Sequence, residues 1–447
     1  TSGTTGPPKG AMLQQRQILS STHQQILDVQ HYQNDRMLCF LPMAHVIERV
    51  LLFYARTDAG MPAAYATTMG GVLQELQEVR PTKFSSVPRL FEKAYATIRA
   101  GIAAKPAPVR ALAAWAEGVG NRRAEAQLAG RAPSLAVRLQ WPLAERLVFR
   151  KVQQAFGGQI TMLLTGAAPI PPDVLRFFWA AGLPLYEGYG LTESTGLSHI
   201  NRPGTAQLGS VGRPMTGLEH RLAEDGEVLL RGATIFAGYF RNDDATAEVL
   251  QDGWLHTGDI GTIDDTGFLR ITDRKKHLII TAGGKNVAPA NIARAIAAQS
   301  PWIGQVHPHG DRRPYISALI TPSATVVLDH AMAQCWIDAA EAEAMLATLG
   351  RDPASRPEPL QALVARASED AEVRTAILEA VQAGNRQLSR VERVRRFAIL
   401  PRDFSREDEA LTPTLKLRRK AIETRFSDEI ERIYTDPAFG LEAEAAG

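Results

Sequence analysis

Cysteine is scarce: two residues, Cys39 and Cys335, in a chain of 447. Two thiols cannot build a disulfide scaffold, and they are too few for a Cys-ligated metal centre. Long apolar runs are missing too. Residues 160–164 are typical of the longest stretches, which are strand-length and far short of the roughly 20 residues that span a bilayer. No cleavable secretion signal is recognisable. An excess of either charge is also lacking, since 50 Lys and Arg against 48 Asp and Glu leave +2. That balance gives no support for a nucleic-acid-binding surface. A reducing cytoplasm is the expected setting. Peripheral contact with the inner face of a membrane stays open, no amphipathic anchor helix stands out, and the oligomeric state is not legible.

The length exceeds one simple core, so two domains or one domain with subdomains are expected. Apolar periodicity predicts a helix over 16–29, a short buried strand over 36–42, and an amphipathic helix over 71–79 with Val72, Leu73, Leu76 and Val79 on one face. A strand over 84–87 follows, and the alternation points to a parallel α/β sheet. Residues 89–156 read as helical, rich in Ala and Arg, and broken at Pro106, Pro108, Pro133 and Pro142. Their basic residues read first as a solvated face, with a membrane- or partner-facing surface as the alternative. A strand over 159–165, a helix over 171–181 and a strand over 185–189 come next. Short alternating runs between Gly and Asp turns mark a β-rich subdomain over about 205–273. A strand over 277–281 and helices from 289 onward form the rest. The domain boundary is expected at 273–276, giving domains of 1–273 and 274–447.

The opening residues Thr1, Ser2, Gly3, Thr4, Thr5, Gly6, Pro7, Pro8, Lys9 and Gly10 combine glycines, hydroxyls and one ammonium. Glycines admit a polyphosphate close to the backbone, and N–H groups, hydroxyls and Lys9 offset its charge. A Walker A loop does not fit, because Pro8 stands where the second Gly belongs and Gly10 where a Ser or Thr follows the lysine. Downstream, Glu187-Gly188-Tyr189-Gly190-Leu191-Thr192-Glu193 flanks an aromatic ring with glycines and follows it with a hydroxyl and a hard carboxylate oxygen. Thr165-Gly166-Ala167-Ala168-Pro169 reads equally as a tight strand-to-helix turn or as a flat surface for a base. Trp254-Leu255-His256-Thr257-Gly258-Asp259 offers a carboxylate after a glycine.

Taken in order, these motifs resemble the adenylate-forming superfamily, which includes acyl-CoA synthetases, luciferases and peptide-synthetase adenylation domains. The resemblance covers essentially the whole chain. Leu41-Pro42-Met43-Ala44-His45 and Val87-Pro88-Arg89-Leu90-Phe91 are similar to its long-chain fatty acyl branch. The chain opens inside the phosphate loop, without the strand such a loop follows, so it reads as lacking an N-terminal portion. The resemblance implies an α/β fold: a large N-terminal domain of parallel α/β sheets plus a β-rich subdomain, with a smaller mobile α+β C-terminal domain. It implies ATP, Mg²⁺ and coenzyme A as cofactors and co-substrates. It also implies a fatty acid as the acid substrate, activated as its adenylate with loss of pyrophosphate and passed to coenzyme A.

The same resemblance distributes the roles. Residues 1–6 and Lys9 hold the phosphates, with Thr1 and Glu193 at Mg²⁺. Gly166, Ala167, Ala168, Gly188, Tyr189 and Gly190 hold adenine. Asp259 takes the ribose, and Arg274 contacts the nucleotide. Thr192 and His45 join the catalytic set, His45 beside the carboxylate pocket. Lys276 is the hinge, and Gly283 lines the pantetheine channel. Lys416, in Leu411-Thr412-Pro413-Thr414-Leu415-Lys416, reaches the carboxylate and α-phosphate. Rival readings are a synthetase that loads a carrier-protein phosphopantetheine, luciferin-type oxidation, and a nucleotide-binding piece inactive without its N-terminus.

Overall fold

A computed structural model describes residues 9–68, 71–282, 285–351, 355–405, 410–411 and 417–444. The described residues divide into two compact units, one from Gly10 to Ile271 and one from Thr272 onward, with which Lys9 is grouped.

The first unit is organised by a seven-stranded sheet: β1 (Met37–Cys39), β2 (Ala63–Tyr65), β3 (Lys83–Ser86), β4 (Met162–Thr165), β5 (Leu185–Leu191), β6 (Gly196–Ile200) and β7 (Arg213–Pro214), in the order β2-β1-β3-β4-β5-β6-β7. Strands β1 to β5 are mutually parallel, β6 runs antiparallel to β5, and β7 antiparallel to β6. Every residue of β1, β3 and β4 is buried, as expected of parallel strands covered on both faces. One core layer gathers Phe84, Phe91, Phe156 and Phe178, whose rings meet edge-on or stacked. The other holds Met37, Leu52, Met162, Trp179 and Tyr186.

Helices occupy the expected stretches at 15–29, 72–79 and 172–180. The 88–155 region departs from expectation at two prolines. Pro108 lies in the first turn of the helix Ala107–Leu128, where a missing N–H leaves nothing unpaired. Pro142 lies inside the helix Leu135–Ala144, which continues into a π-helical turn at Glu145–Phe149. The helix thus passes through the proline, whose N–H is missing from the ladder, and the turn after it is π-helical. A second π-helix, Ile47–Tyr54, was not anticipated; it buries Val50, Leu51 and Leu52.

The β-rich part consists of β8 (Leu218–Leu222), β9 (Glu227–Gly232), β10 (Leu250–Gln251), β11 (Trp254–Ile263) and β12 (Leu269–Arg274). They form an antiparallel sheet in the order β10-β11-β9-β8, with β12 paired to β11. The chain leaves the first unit within β12.

In the second unit, β13 (Ile279–Ile280) pairs with β14 (Asn286–Val287). The strand expected over 277–281 is shortened because Lys275–His277 take a 3₁₀ turn. A four-stranded sheet follows, β15 (Ile303–His309), β16 (Ile316–Pro322), β17 (Val394–Ile399) and β18 (Leu441–Glu442), with only β16 and β17 parallel. All seven residues of β16 are buried. Ile316, Ala318 and Ile320 enter one core with the helices at 289–297 and 358–385, while Leu319 enters another with Ile422, Phe426 and Ile430. That alternation is the two-residue period of a strand covered on both faces. Among the described residues, no helix is long and apolar enough to cross a membrane.

Candidate active site

Parallel strands end on the same edge of a sheet, and that edge is where α/β folds carry their ligand sites. The motifs singled out above fall there. Residues 41–46 leave the carboxyl end of β1, 87–89 that of β3, 166–169 that of β4, and 189–193 close β5 and turn away from it.

Glycine is required where β4 and β5 come together. A Cβ on Gly166 would stand 2.9 Å from the Gly188 carbonyl oxygen, and one on Gly190 only 1.7 Å from that of Gly196. The 166–168 turn therefore lies against the backbone of β5. Ala167 holds φ +69°, a left-handed conformation that costs an L-residue about 1–2 kcal/mol and marks an over-determined turn.

Tyr189 projects from β5 and donates from Oη to Asp259 Oδ2 at 2.5 Å. Asp259 is buried at 3% exposure on β11. Its position comes from an irregularity in the β9–β11 register between His256 and Ile260, with Gly258 at φ +69°, the form of a β-bulge that re-aims one side chain. Glu227 fastens the bulge: its Oε1 accepts from the Gly258 N–H at 2.8 Å, and its Oε2 lies 3.3 Å from His256 Nδ1. The ring of Tyr189 approaches His199 at 5.9 Å between centroids.

Glu193 sits in the 3₁₀ turn Thr192–Ser194 directly after β5. Tyr239 Oη donates to Glu193 Oε1 at 2.7 Å, and the Phe236 N–H donates to the Glu193 carbonyl at 2.8 Å. The 234–240 segment has wider connections. The Thr234 carbonyl accepts from Thr195 Oγ1 at 2.6 Å, and that of Ile235 from Gln17 Nε2 at 2.7 Å. The Phe240 N–H donates to the Gly10 carbonyl at 2.7 Å, and Ala11 bridges Tyr239. This segment thus joins the exit of the Thr/Gly loop to the Glu193 turn.

His45 is half-buried, and its Nδ1 accepts from the Ile47 N–H at 3.2 Å; in the neutral ring the proton is then on Nε2. Glu48 of the same motif is buried, its Oε2 accepts from the Leu41 N–H at 3.2 Å, and burial raises its pKa. The 41–48 loop is thereby pinned from within.

The structure brings together Gly166, Ala167, Gly188, Tyr189, Gly190 and Asp259, and sets Thr192 and Glu193 in the turn that follows β5. Ala168 is exposed, and Lys9 is half-buried just ahead of Gly10. Arg274 and Lys276 are exposed on the second unit, where the Arg274 N–H donates to Asp273 Oδ1 at 2.6 Å and the Ala290 N–H to Asp273 Oδ2 at 2.9 Å. Thr1, Ser2, Gly3, Thr4, Thr5, Gly6, Gly283 and Lys416 lie outside the described residues. Sequence reasoning missed Glu227, Tyr239 and the rest of 234–240. The available signal was the aromatic run Phe236-Ala237-Gly238-Tyr239-Phe240, with Gly238 at φ +128°.

A hard carboxylate oriented by a tyrosine hydroxyl suits an oxygen-seeking cation such as Mg²⁺. A tyrosine ring hydrogen-bonded to a buried carboxylate suits a nucleoside, base against the ring and ribose against the acid.

Comparisons with known proteins identify the family. The AMP-binding enzyme family matches residues 1–240, and the AMP-binding enzyme C-terminal domain matches residues 358–438. A long-chain-fatty-acid–CoA ligase of Mycobacterium tuberculosis, FadD15, is 36% identical over 451 residues, covering 97% of this chain and 68% of that protein. The long-chain-fatty-acid–CoA ligase ACSBG2 of Xenopus laevis is 34% identical, covering 98% of this chain and 60% of its own length. Among solved structures, the adenylation domain of a carboxylate reductase from Mycobacterium chelonae aligns with TM-score 0.68 at 21% identity, covering 98% of this chain and 59% of that one. At that identity the likeness establishes the fold alone. With the family matched over more than half of the chain, and a relative 36% identical along nearly all of it, the chain belongs to the AMP-binding enzyme family.

Proposed function

We propose that this chain is an AMP-forming long-chain fatty acid–CoA ligase. The observation that carries the reading is the 2.5 Å hydrogen bond between Tyr189 and the buried Asp259, with Glu193 fixed by Tyr239 four residues further on. The family membership and the names of its relatives supply the substrate class.

The reaction has two steps. A fatty carboxylate oxygen attacks the α-phosphorus of ATP in line, and pyrophosphate leaves. The thiolate of coenzyme A then attacks the acyl-adenylate carbonyl, forming the thioester and releasing AMP. Neither step needs an enzyme nucleophile, so the protein acts by positioning and by neutralising charge. Tyr189 stacks on adenine, held at its hydroxyl by Asp259, which accepts from the ribose. Lys9 and residues 1–6 hold the β- and γ-phosphates. Glu193, oriented by Tyr239, holds Mg²⁺, which when bound draws off the charge of the phosphates. Lys416 bridges the carboxylate and the α-phosphate. Residues 1–273 form the adenylating domain. Residues 274–447 form the domain that delivers Lys416 and then turns about Lys276, so that Gly283 lines the thiol channel; Arg274 contacts the nucleotide.

The fatty substrate is drawn from a lipid surface. Leu135, Leu139, Leu143 and Leu147 recur every four residues, and Leu135 and Leu139 are 73% and 82% exposed. Arg138, Arg146, Arg150 and Lys151, all exposed, accompany them. Exposed leucines flanked by cations match an anionic bilayer surface.

The test is the product formed from MgATP and coenzyme A with palmitate, benzoate or phenylalanine, resolved by chromatography. Palmitoyl-CoA with little product from the other two acids supports the reading. Benzoyl- or phenylalanyl-thioester in excess of palmitoyl-CoA overturns it.

A further inference from the structure

A cluster of donor side chains in the second unit consists of residues given no role above. His307 and His309 are two apart on β15, so both imidazoles project from the same face of the sheet. Glu423 reaches them from the helix Arg419–Arg425. His307 Nε2 and His309 Nδ1 each lie 3.6 Å from Glu423 Oε1, and one ligand atom from each of the three residues falls within 4.8 Å of the others. We propose that His307, His309 and Glu423 form a site for one divalent cation of the zinc class, which clips the helix Arg419–Arg425 to β15.

The distances decide between a hydrogen-bonded cluster and a ligand set. At 3.6 Å both imidazoles make long ion-pair contacts with the carboxylate, wider than the 2.7–3.2 Å at which a hydrogen bond closes fully. The edge of a zinc tetrahedron, by contrast, is about 3.3 Å for bonds of 2.0–2.1 Å. Small side-chain movements bring the three atoms onto the corners of one face of such a tetrahedron.

The burial pattern is the second observation. His307 is fully buried, and neither of its ring nitrogens has a hydrogen-bond partner among the described residues. Buried polar atoms in folded proteins are rarely left so, and an ion supplies the partner that Nε2 lacks. The site is open on one side, because the Glu423 side chain is 38% exposed and that of His309 15%, which gives an ion a path in.

The donor types select the metal. Two imidazole nitrogens and one carboxylate are the protein ligands of several zinc sites and leave a position for water. Mg²⁺ and Ca²⁺ prefer all-oxygen shells. Arg419 sharpens the choice. Its guanidinium donates to the Pro308 carbonyl and acts electrostatically on His307 and Glu423, so a cation here works against a nearby positive charge. Only a metal that binds imidazole strongly overcomes that.

The test is zinc binding by the whole chain after stripping with EDTA and desalting, read by competition with a chromophoric chelator. One equivalent is expected with Kd below about 1 μM, and a Tm that rises with zinc but not with Mg²⁺ alone. E423Q and H309Q, which leave the buried His307 in place, are each expected to weaken binding at least tenfold, in the range typical for losing a metal-supporting group, with metal-free Tm close to the parent. H330Q, which alters the separate His330, Asp370 and Glu372 cluster, leaves affinity unchanged. Absence of stoichiometric zinc, equal affinity in E423Q and H309Q, or loss of binding in H330Q alone would each overturn the proposal.

Discussion

At the scale of single residues, the site depends on second-layer groups as much as on the motif residues. Tyr239 is 6% exposed and spends its hydroxyl on Glu193. A hydrogen bond to a charged acceptor contributes about 1.5–3 kcal/mol, so Tyr239→Phe is expected to slow pyrophosphate release by about 10- to 100-fold at limiting Mg²⁺ and less at saturation. Rates measured across a Mg²⁺ titration check this; an unchanged Mg²⁺ dependence would show that the tyrosine merely packs. His31 gives a different kind of expectation. Burial lowers its pKa from 6.5 to about 4, the Lys83 charge acts in the same direction, and Asp35 opposes. The folded chain therefore resists protonation that the unfolded chain accepts. The stability this group contributes is complete above pH 6.5 and is lost as pH falls toward 4, at up to about 1.4 kcal/mol per pH unit. Other buried histidines titrate too, so the informative quantity is the difference between the parent and His31→Leu in urea midpoints over that range. The variant should show the shallower loss, and parallel curves would remove His31 from the account.

At the scale of elements, the leucine spacing leads to a direct expectation. Leu139→Glu places a like charge in the middle of the proposed lipid-facing stripe, where the native residue is 82% exposed. Folding should be unaffected, and binding to vesicles containing anionic phosphatidylglycerol should fall at least tenfold in flotation assays. Equal flotation of parent and variant would assign membrane contact elsewhere or to nothing. This stripe also shows where sequence reasoning stopped. Residues 135–147 read as one more helical stretch whose cations were first a solvated face and alternatively a membrane- or partner-facing surface, because periodicity reveals a stripe but not which side is covered. The π-turn after Pro142 was illegible for a related reason: the proline rule ends a helix, and only tertiary packing decides whether the next turn widens instead. In contrast, β1 and β4 were legible as short apolar runs bounded by turn residues, whereas β3 (Lys83–Ser86) and β5 (Leu185–Leu191) carry polar residues and were read from the strand–helix alternation around them. The antiparallel pairings of β6 with β5 and β7 were not legible, because strand direction leaves no local mark.

At the scale of the whole molecule, motif order carried more information than any motif alone. Gly166, Gly188, Tyr189 and Asp259 are separated by up to 93 residues along the chain, yet β4, β5 and the β11 bulge bring them together. Gly188 and Gly190 read as leaving the Tyr189 ring face open; at Gly190 the structure adds a different need, since a Cβ there would stand 1.7 Å from the Gly196 carbonyl oxygen. Tyr239 and Glu227 were not legible, because their work is to hold other side chains and nothing in their neighbours' identities announces it. The second unit's sheet, with its single parallel pair, likewise emerged only from pairing. The central claim is that this chain activates a fatty acid with ATP before coenzyme A enters. Pyrophosphate release from MgATP, with and without palmitate and coenzyme A, for the parent chain beside Lys416→Ala tests it most directly. The account predicts palmitate-dependent release that coenzyme A accelerates and that Lys416→Ala reduces by at least 100-fold. Release independent of palmitate, or unchanged in Lys416→Ala, would contradict it.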